Sequence, residues 1–176
     1  MDSKDREKII KAGKIVSQIR TYAPTIIKSG VPLLDIAEKI EAKIEELGGK
    51  SAFPCNLSIN EIAAHYTPSH DDTQVAHGLI KVDFGVHVDG WTADNSLSFD
   101  LESNEENKKL IIAAERALDN AIELIKKRSD NLHISEIGKT IQEAFRMLGP
   151  TSDQNEGMGG KMIYDGSSGT TLEMWK

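Results

Sequence analysis

From Ile80 to Val88 apolar and other residues alternate without a break, with Ile80, Val82, Phe84, Val86 and Val88 on one side of the pattern. After Asp89-Gly90 a second extended run continues to Phe99. A period of two suits a half-buried strand and no helix, and Asp-Gly between two such runs predicts a hairpin closed by a two-residue turn. With Asp89 and Gly90 as the turn, Val88 faces Trp91, Gly85 faces Asp94 and Asp83 faces Ser96. One face then sets Val82, Phe84, Val86 and Val88 against Leu97, Ala93 and Trp91 and can close a core. The other carries Asp83 and Asp94 as diagonal neighbours, their Cα atoms about 7 to 8 Å apart, near enough for both carboxylates to reach one small object. Gly85, opposite Asp94, is expected to leave that object room. Two enclosed like charges repel unless a cation lies between them. A solvated polar sheet face, a general acid and base pair, and a metal site all fit this spacing. Carboxylates alone would favour Mg, Ca or Mn over Zn.

Helices flank the hairpin, which makes the class α+β. The first is expected to begin after Ser3 as N-cap, carry Ile9, Ala12, Val16, Ile19 and Ala23 as one stripe, and end near Lys28-Ser29-Gly30. The second opens at Pro32, runs through Leu33, Ile36, Ala37, Ile40, Ile44 and Leu47, and stops at Gly48-Gly49. Residues 51–60 suit a short strand interrupted by Pro54, and 61–77 a polar loop with His65, His70 and His77. Two further amphipathic helices are predicted over 105–128 and 135–148, the last stopped by Gly149-Pro150. Their apolar residues echo the first pair at an offset of 101: Ile36, Ala37, Ile40, Ile44 and Leu47 correspond to Ile137, Gly138, Ile141, Phe145 and Leu148. Two readings stand: the chance match of amphipathic helix pairs, or a duplicated helix-helix-sheet unit whose second sheet is cut short. Residues 151–176 differ from the rest, with 11 of 26 positions Gly, Ser or Thr. The expected organisation is thus a domain over 1–150 and a divergent tail over 151–176.

The chain has 21 basic and 28 acidic residues, a net charge of −7, which disfavours binding to a phosphate backbone. Its single cysteine, Cys55, excludes an intramolecular disulfide, and without an activating arrangement around it reads as a small apolar residue. No apolar run approaches the roughly 20 residues that cross a bilayer, and the charged N-terminus is unlike a signal peptide. A cytoplasmic protein with neither nucleic acid nor membrane as partner is expected.

The stretch Asn60-Glu61-Ile62-Ala63-Ala64-His65-Tyr66-Thr67-Pro68, together with Lys81-Val82-Asp83-Phe84-Gly85-Val86-His87-Val88-Asp89-Gly90-Trp91-Thr92-Ala93-Asp94, resembles type 2 methionine aminopeptidases, in the short form found in archaea. The resemblance covers about residues 1–149. It implies half of a pita-bread fold, an antiparallel sheet covered by amphipathic helices, with the second pseudo-repeat truncated. It also implies two divalent metal ions (Co, Mn, Fe or Zn), bridged by a water or hydroxide that attacks the carbonyl after an N-terminal methionine. On that resemblance Asp83 and Asp94 are metal ligands, His65 is catalytic and contacts substrate near the scissile bond, and Phe53 lines the methionine pocket. His70, His77 and His87 match no ligand of the family and read as surface residues. Nascent peptide N-termini are the implied substrate.

The same resemblance calls for a histidine in a Gly-His-Gly-like segment and two glutamates after residue 150. The text there, TSDQNEGMGGKMIYDGSSGTTLEMWK, offers neither context, and Glu156 and Glu173 are not assigned as ligands. A frameshift near Pro150, a truncation or a splice to foreign residues would each produce it. The chain alone is therefore expected to be inactive or nearly so, and to self-associate through apolar surface that a missing half would cover. The alternative reading is a non-catalytic pita-bread module that binds proteins or ribosomes; a proline-specific peptidase of the same fold fits the Ala-Ala-His-Tyr-Thr-Pro loop less well.

Overall fold

The structure is a computed structural model that describes residues 2–128 and 130–148. The divergent tail expected over 151–176 lies outside the described residues. The order of elements is α1 (Ser3–Ile26), α2 (Leu33–Glu46), β1 (Lys50–Ile59), β2 (Leu79–Val88), β3 (Trp91–Asp100), α3 (Glu105–Lys127) and α4 (Ile134–Leu148). These elements form two compact units that divide between Glu102 and Ser103. The class is α+β, as the sequence implies.

In the first unit the three strands make one antiparallel sheet in the order β1-β2-β3. The hairpin has the expected register throughout, with Val88 opposite Trp91, Gly85 opposite Asp94 and Asp83 opposite Ser96. Its turn residues both take left-handed backbone, Asp89 at φ 50° and Gly90 at φ 85°, the combination a two-residue hairpin turn of the primed type requires. Helices α1 and α2 cover the apolar face. Ile15, Val16, Ile19, Leu33, Ile36, Ile40 and Ile44 pack there with Leu57, Ile80, Val82, Phe84 and Val86 in one buried cluster. On the same face Asn95 accepts a hydrogen bond from Arg20 Nη1 at 2.9 Å.

Helix boundaries differ from expectation by a residue or more. Asp2, not Ser3, is the N-cap of α1, because its carboxylate accepts from Asp5 N at 2.7 Å. The helix stops at Ile26, short of the Lys28-Gly30 segment, with Pro24 in its last turn. Helix α2 ends as its glycines predict: Gly48, at φ 80°, donates to Glu45 O, and Gly49 donates to Ile44 O. These paired bonds satisfy carbonyls that a helix end would leave open.

Among the described residues the second unit is a pair of helices. α3 is capped by Asn104, which accepts from Glu106 N at 2.8 Å and Asn107 N at 3.4 Å. Ala117, Ala121, Ile141 and Ala144 form its buried seam, with Ile137 and Phe145 packed against it.

Candidate functional site

Strand β1 is where the chain departs from regular geometry. Its register with β2 shifts between Ser51 and Phe53, and again between Phe53 and Asn56. Pro54 has no N–H to give a ladder, so a bulge at this point removes a conflict that a regular strand would keep. The freed groups are bonded elsewhere. Cys55 N donates to Glu41 Oε1 of α2 at 2.8 Å, and Pro54 O accepts from Asn56 Nδ2 at 2.7 Å.

The bulge decides what stands on the polar face of the sheet. Phe53 opposes Gly85 and Asn56 opposes Asp83, so three steps along β1 match two along β2 and both side chains share a face. Two rows therefore cross the sheet: Phe53, Gly85, Asp94, and beside it Asn56, Asp83, Ser96. The space expected to stay open above Gly85 is taken. A Cβ placed on Gly85 would lie 2.5 Å from Phe53 Cε1 and 2.9 Å from Ala52 Cβ, so the glycine seats the Phe53 ring. Phe53 is half-buried on the polar face, not within the helix-covered core.

Asp83 and Asp94 are both half-buried, and Oδ1 of each is shut off from solvent. Paired oxygen donors withdrawn from water are the chemistry that a divalent cation accepts. The fit is partial, because no cluster of three or more His, Cys, Asp or Glu side chains able to hold a metal occurs among the described residues.

The loop after β1 is tied down at several points. At its neck Asn60 N donates to Leu79 O, Asn60 Oδ1 accepts from Leu79 N at 2.9 Å, and Lys81 Nζ donates to Asn60 O at 2.6 Å. Partial burial draws the Lys81 ammonium down to about 8, with nearby Glu61 opposing the shift. The return of the loop is stapled to the α1–α2 connection by Gly30 N to Ala76 O, Ala76 N to Val31 O and Leu33 N to Gln74 O. Within it, Leu57 N donates to Tyr66 O at 2.7 Å, Tyr66 N donates to Ser58 Oγ at 3.3 Å, and the Tyr66 hydroxyl donates to Asp72 Oδ2 at 2.7 Å. The bond to Asp72 holds the phenol above its ordinary pKa. His65, next to this anchored tyrosine, is exposed and held at φ 66°, an uncommon backbone state outside glycine.

His70 and His77 are exposed, and His87 is half-buried near the turn with Nδ1 accepting from Gly90 N. Cys55 is buried, and burial, Glu41 and Asp83 together push its thiol well up, away from nucleophilic chemistry. Asn56, Tyr66 and Glu41 were not picked out in the sequence. The one signal for them is Pro54, whose presence inside a strand announces a bulge but not the groups that satisfy it.

Over 147 residues the chain is 51% identical to a methionine aminopeptidase of Thermococcus onnurineus, matching 82% of this chain and 48% of that protein. With a methionine aminopeptidase of Methanothermus fervidus it shares 44% identity over 156 residues, 81% of each. The chain thus spans about half the length of the first of these curated relatives. Among solved structures, a methionine aminopeptidase of Thermotoga maritima superposes with a TM-score of 0.74 at 24% identity, covering 85% of this chain and 62% of that one, which is a likeness of fold. The fold is that of part of a pita-bread enzyme. The model of metallopeptidase family M24 matches residues 7–163, and the chain belongs to that family.

Proposed function

We propose that this chain supplies one wall of a methionine aminopeptidase site, in which Asp83 and Asp94 hold divalent metal ions, Phe53 lines the methionine pocket and His65 contacts the substrate beside the scissile bond. The observation that carries the reading is the shared face: two half-buried carboxylates and an aromatic ring stand on adjacent rows of one sheet. The substrate is the N-terminus of a nascent protein, met in the cytoplasm. When bound, the metal ions supply Lewis acidity toward the peptide carbonyl. The work of the chain's own residues is positional. Phe53 offers an apolar contact to an unbranched thioether side chain, and the carboxylates of Asp83 and Asp94 would hold the metal ions. His65, fixed by its anchored neighbour Tyr66, hydrogen-bonds the substrate from the loop.

Two aspartates leave most of a metal pair's coordination to water, so the 176 residues by themselves are expected to bind metal weakly and to release methionine slowly or not at all. Titration with Mn²⁺, read by its electron paramagnetic resonance, tests the ligands. Asp83→Asn and Asp94→Asn should each lower affinity at least about tenfold, since loss of even an outer-shell partner of a ligand costs that much; unchanged binding in both would remove the assignment. Release of methionine from a Met-Gly-Met peptide at enzyme-like rates by the intact chain, checked by mass, would overturn the weak-activity proposal. Self-association belongs to the same reading and is supported by exposed Ile112, Ile122, Ile125, Ile134 and Met147 on α3 and α4. A clean monomer in sedimentation at micromolar concentration would refute it.

A further inference from the structure

Asn56 occupies the meeting point of the three segments that carry the proposed site residues. It lies directly across from Asp83 on the polar face of the sheet and is 8% exposed. Both hydrogens of its side-chain amide are used. One bond goes to Pro54 O at 2.7 Å, inside the bulge that turns Phe53 onto this face, and one to Thr67 Oγ1 at 2.9 Å, two residues beyond His65. A buried amide with two fixed acceptors constrains both of them, because leaving either unmade costs the desolvation of a polar group. Pro54 and Cys55 fall in the register shift between the Phe53–Gly85 and Asn56–Asp83 pairs. Cys55 N, bonded to Glu41, closes the other side of the bulge.

We propose that Asn56 is a positioning residue of this site, its side-chain amide locking the Phe53 bulge and the His65 loop to each other opposite Asp83. The inference rests on the reading above for the roles of Phe53 and His65, but the lock itself is a property of the fold. Without Asn56, the sheet hairpin keeps its own turn and register and the loop keeps its bonds with Leu57 and Ser58, while the side-chain link between Pro54 and Thr67 is lost. Pocket and loop then lose their mutual alignment before either carboxylate is disturbed.

Hydrogen exchange and ligand binding test this separately. In Asn56→Ala and in Thr67→Val, exchange of the Tyr66 amide should accelerate at least about tenfold, while amides of Phe84 and Val86 stay within about twofold of the parent chain. Thr67→Ser, which keeps the acceptor oxygen, should restore the slow exchange, and the double variant Asn56→Ala/Thr67→Val should exchange no faster than either single one. Unaltered Tyr66 exchange in Thr67→Val, or additive effects in the double variant, would overturn the lock. The second arm uses L-methionine in the presence of Mn²⁺. If the parent chain binds it, Asn56→Ala should weaken methionine at least about tenfold and Mn²⁺ less than about twofold; equal losses, or none, would overturn the positioning role. In a parent chain that binds neither probe, as weak binding by a single wall allows, exchange alone decides the lock.

Discussion

Helices α1 and α2 and helices α3 and α4 repeat one design with different outcomes. Adding 101 to the bounds of α1 gives 104–127 and to those of α2 gives 134–147, against observed spans of Glu105–Lys127 and Ile134–Leu148. Equivalent positions are also buried alike: Ala12 with Ala113, Val16 with Ala117, Ile40 with Ile141. The first pair, however, buries Ile15, Ile19, Leu33, Ile36 and Ile44 against a sheet, whereas the seam of the second is mostly alanine. Some of its larger residues lie outside that seam, with Ile134 78% and Met147 83% exposed. A period of 3.6 marks the residues that a helix offers for burial; only a second layer takes up the offer. Two helices alone cover a narrow stripe, and alanines there permit close approach while burying little apolar area.

The largest expected effect follows directly. Ile40 is fully buried beneath the sheet, so Ile40→Ala should cost about 3 to 4 kcal/mol, a deleted core side chain with little room for collapse. Its counterpart Ile141 is 7% exposed in a small cluster that relaxes more easily, and Ile141→Ala should cost no more than about half as much. Urea unfolding followed by circular dichroism measures both. Equal losses would break the distinction between a covered and a self-covering helix pair.

Glycines sharpen it at a smaller scale. Gly85→Ala drives a methyl group into the Phe53 ring and should destabilise the first unit by about 1 to 3 kcal/mol, as overpacking does. Gly138, on α4, has nothing within 4 Å of an added Cβ, so Gly138→Ala should stabilise by about 0.5 to 1 kcal/mol through helix propensity. Thermal midpoints of the two variants should therefore move in opposite directions; a shift downward for both would mean that the space around α4 is already filled.

How far the sequence revealed this depends on how local the cause is. The hairpin register was legible residue by residue, because alternation and an Asp-Gly turn act within a few positions. The Schellman-type stop at Gly48-Gly49 was legible for the same reason. Ser3 and Asp2 are both good caps, and nothing in their order says which carboxylate or hydroxyl will reach a backbone N–H, so the start of α1 was missed by one residue. Gly85 shows the harder limit. Opposite Asp94 it reads as open space, but the ring that fills it comes from Phe53, 32 positions earlier, turned by a bulge whose bonds run to Glu41, Asn56 and Thr67. The carboxylates were legible as a pair because one strand pair carries both. The bonds that fix the Phe53 bulge beside them were not, because they are drawn from α2, β1 and the loop.

The smallest effect concerns how each second helix begins. At α2 the N-cap is Pro32, without a side-chain bond, and the first turn is held by tertiary contacts, Leu33 N to Gln74 O at 2.9 Å. At α4 the hold is local: Glu136 Oε1 accepts from His133 N at 3.3 Å, Glu136 N donates to His133 O, and Arg128 pairs with the same carboxylate. The Glu136 side chain thus makes one half of a capping box, reaching back to the N–H before the helix, while its own N–H bonds a backbone carbonyl. The bond from His133 N and the Arg128 guanidinium hold the Glu136 carboxyl below its ordinary value of 4.5. A depressed carboxyl binds fewer protons in the folded state than in the unfolded one, so stability rises with pH across that interval. Its contribution is complete above about pH 4.5 and disappears as pH falls through the folded value. Because the carboxyl is solvent-accessible the effect is small and screened by salt. Protection of the His133 amide should therefore fall between pH 6 and pH 3, or at pH 6 in Glu136→Gln, while that of Leu33 stays constant. If Leu33 lost protection in step with His133, the two helix starts would share one source of stability, and the contrast between tertiary and local anchoring would fail.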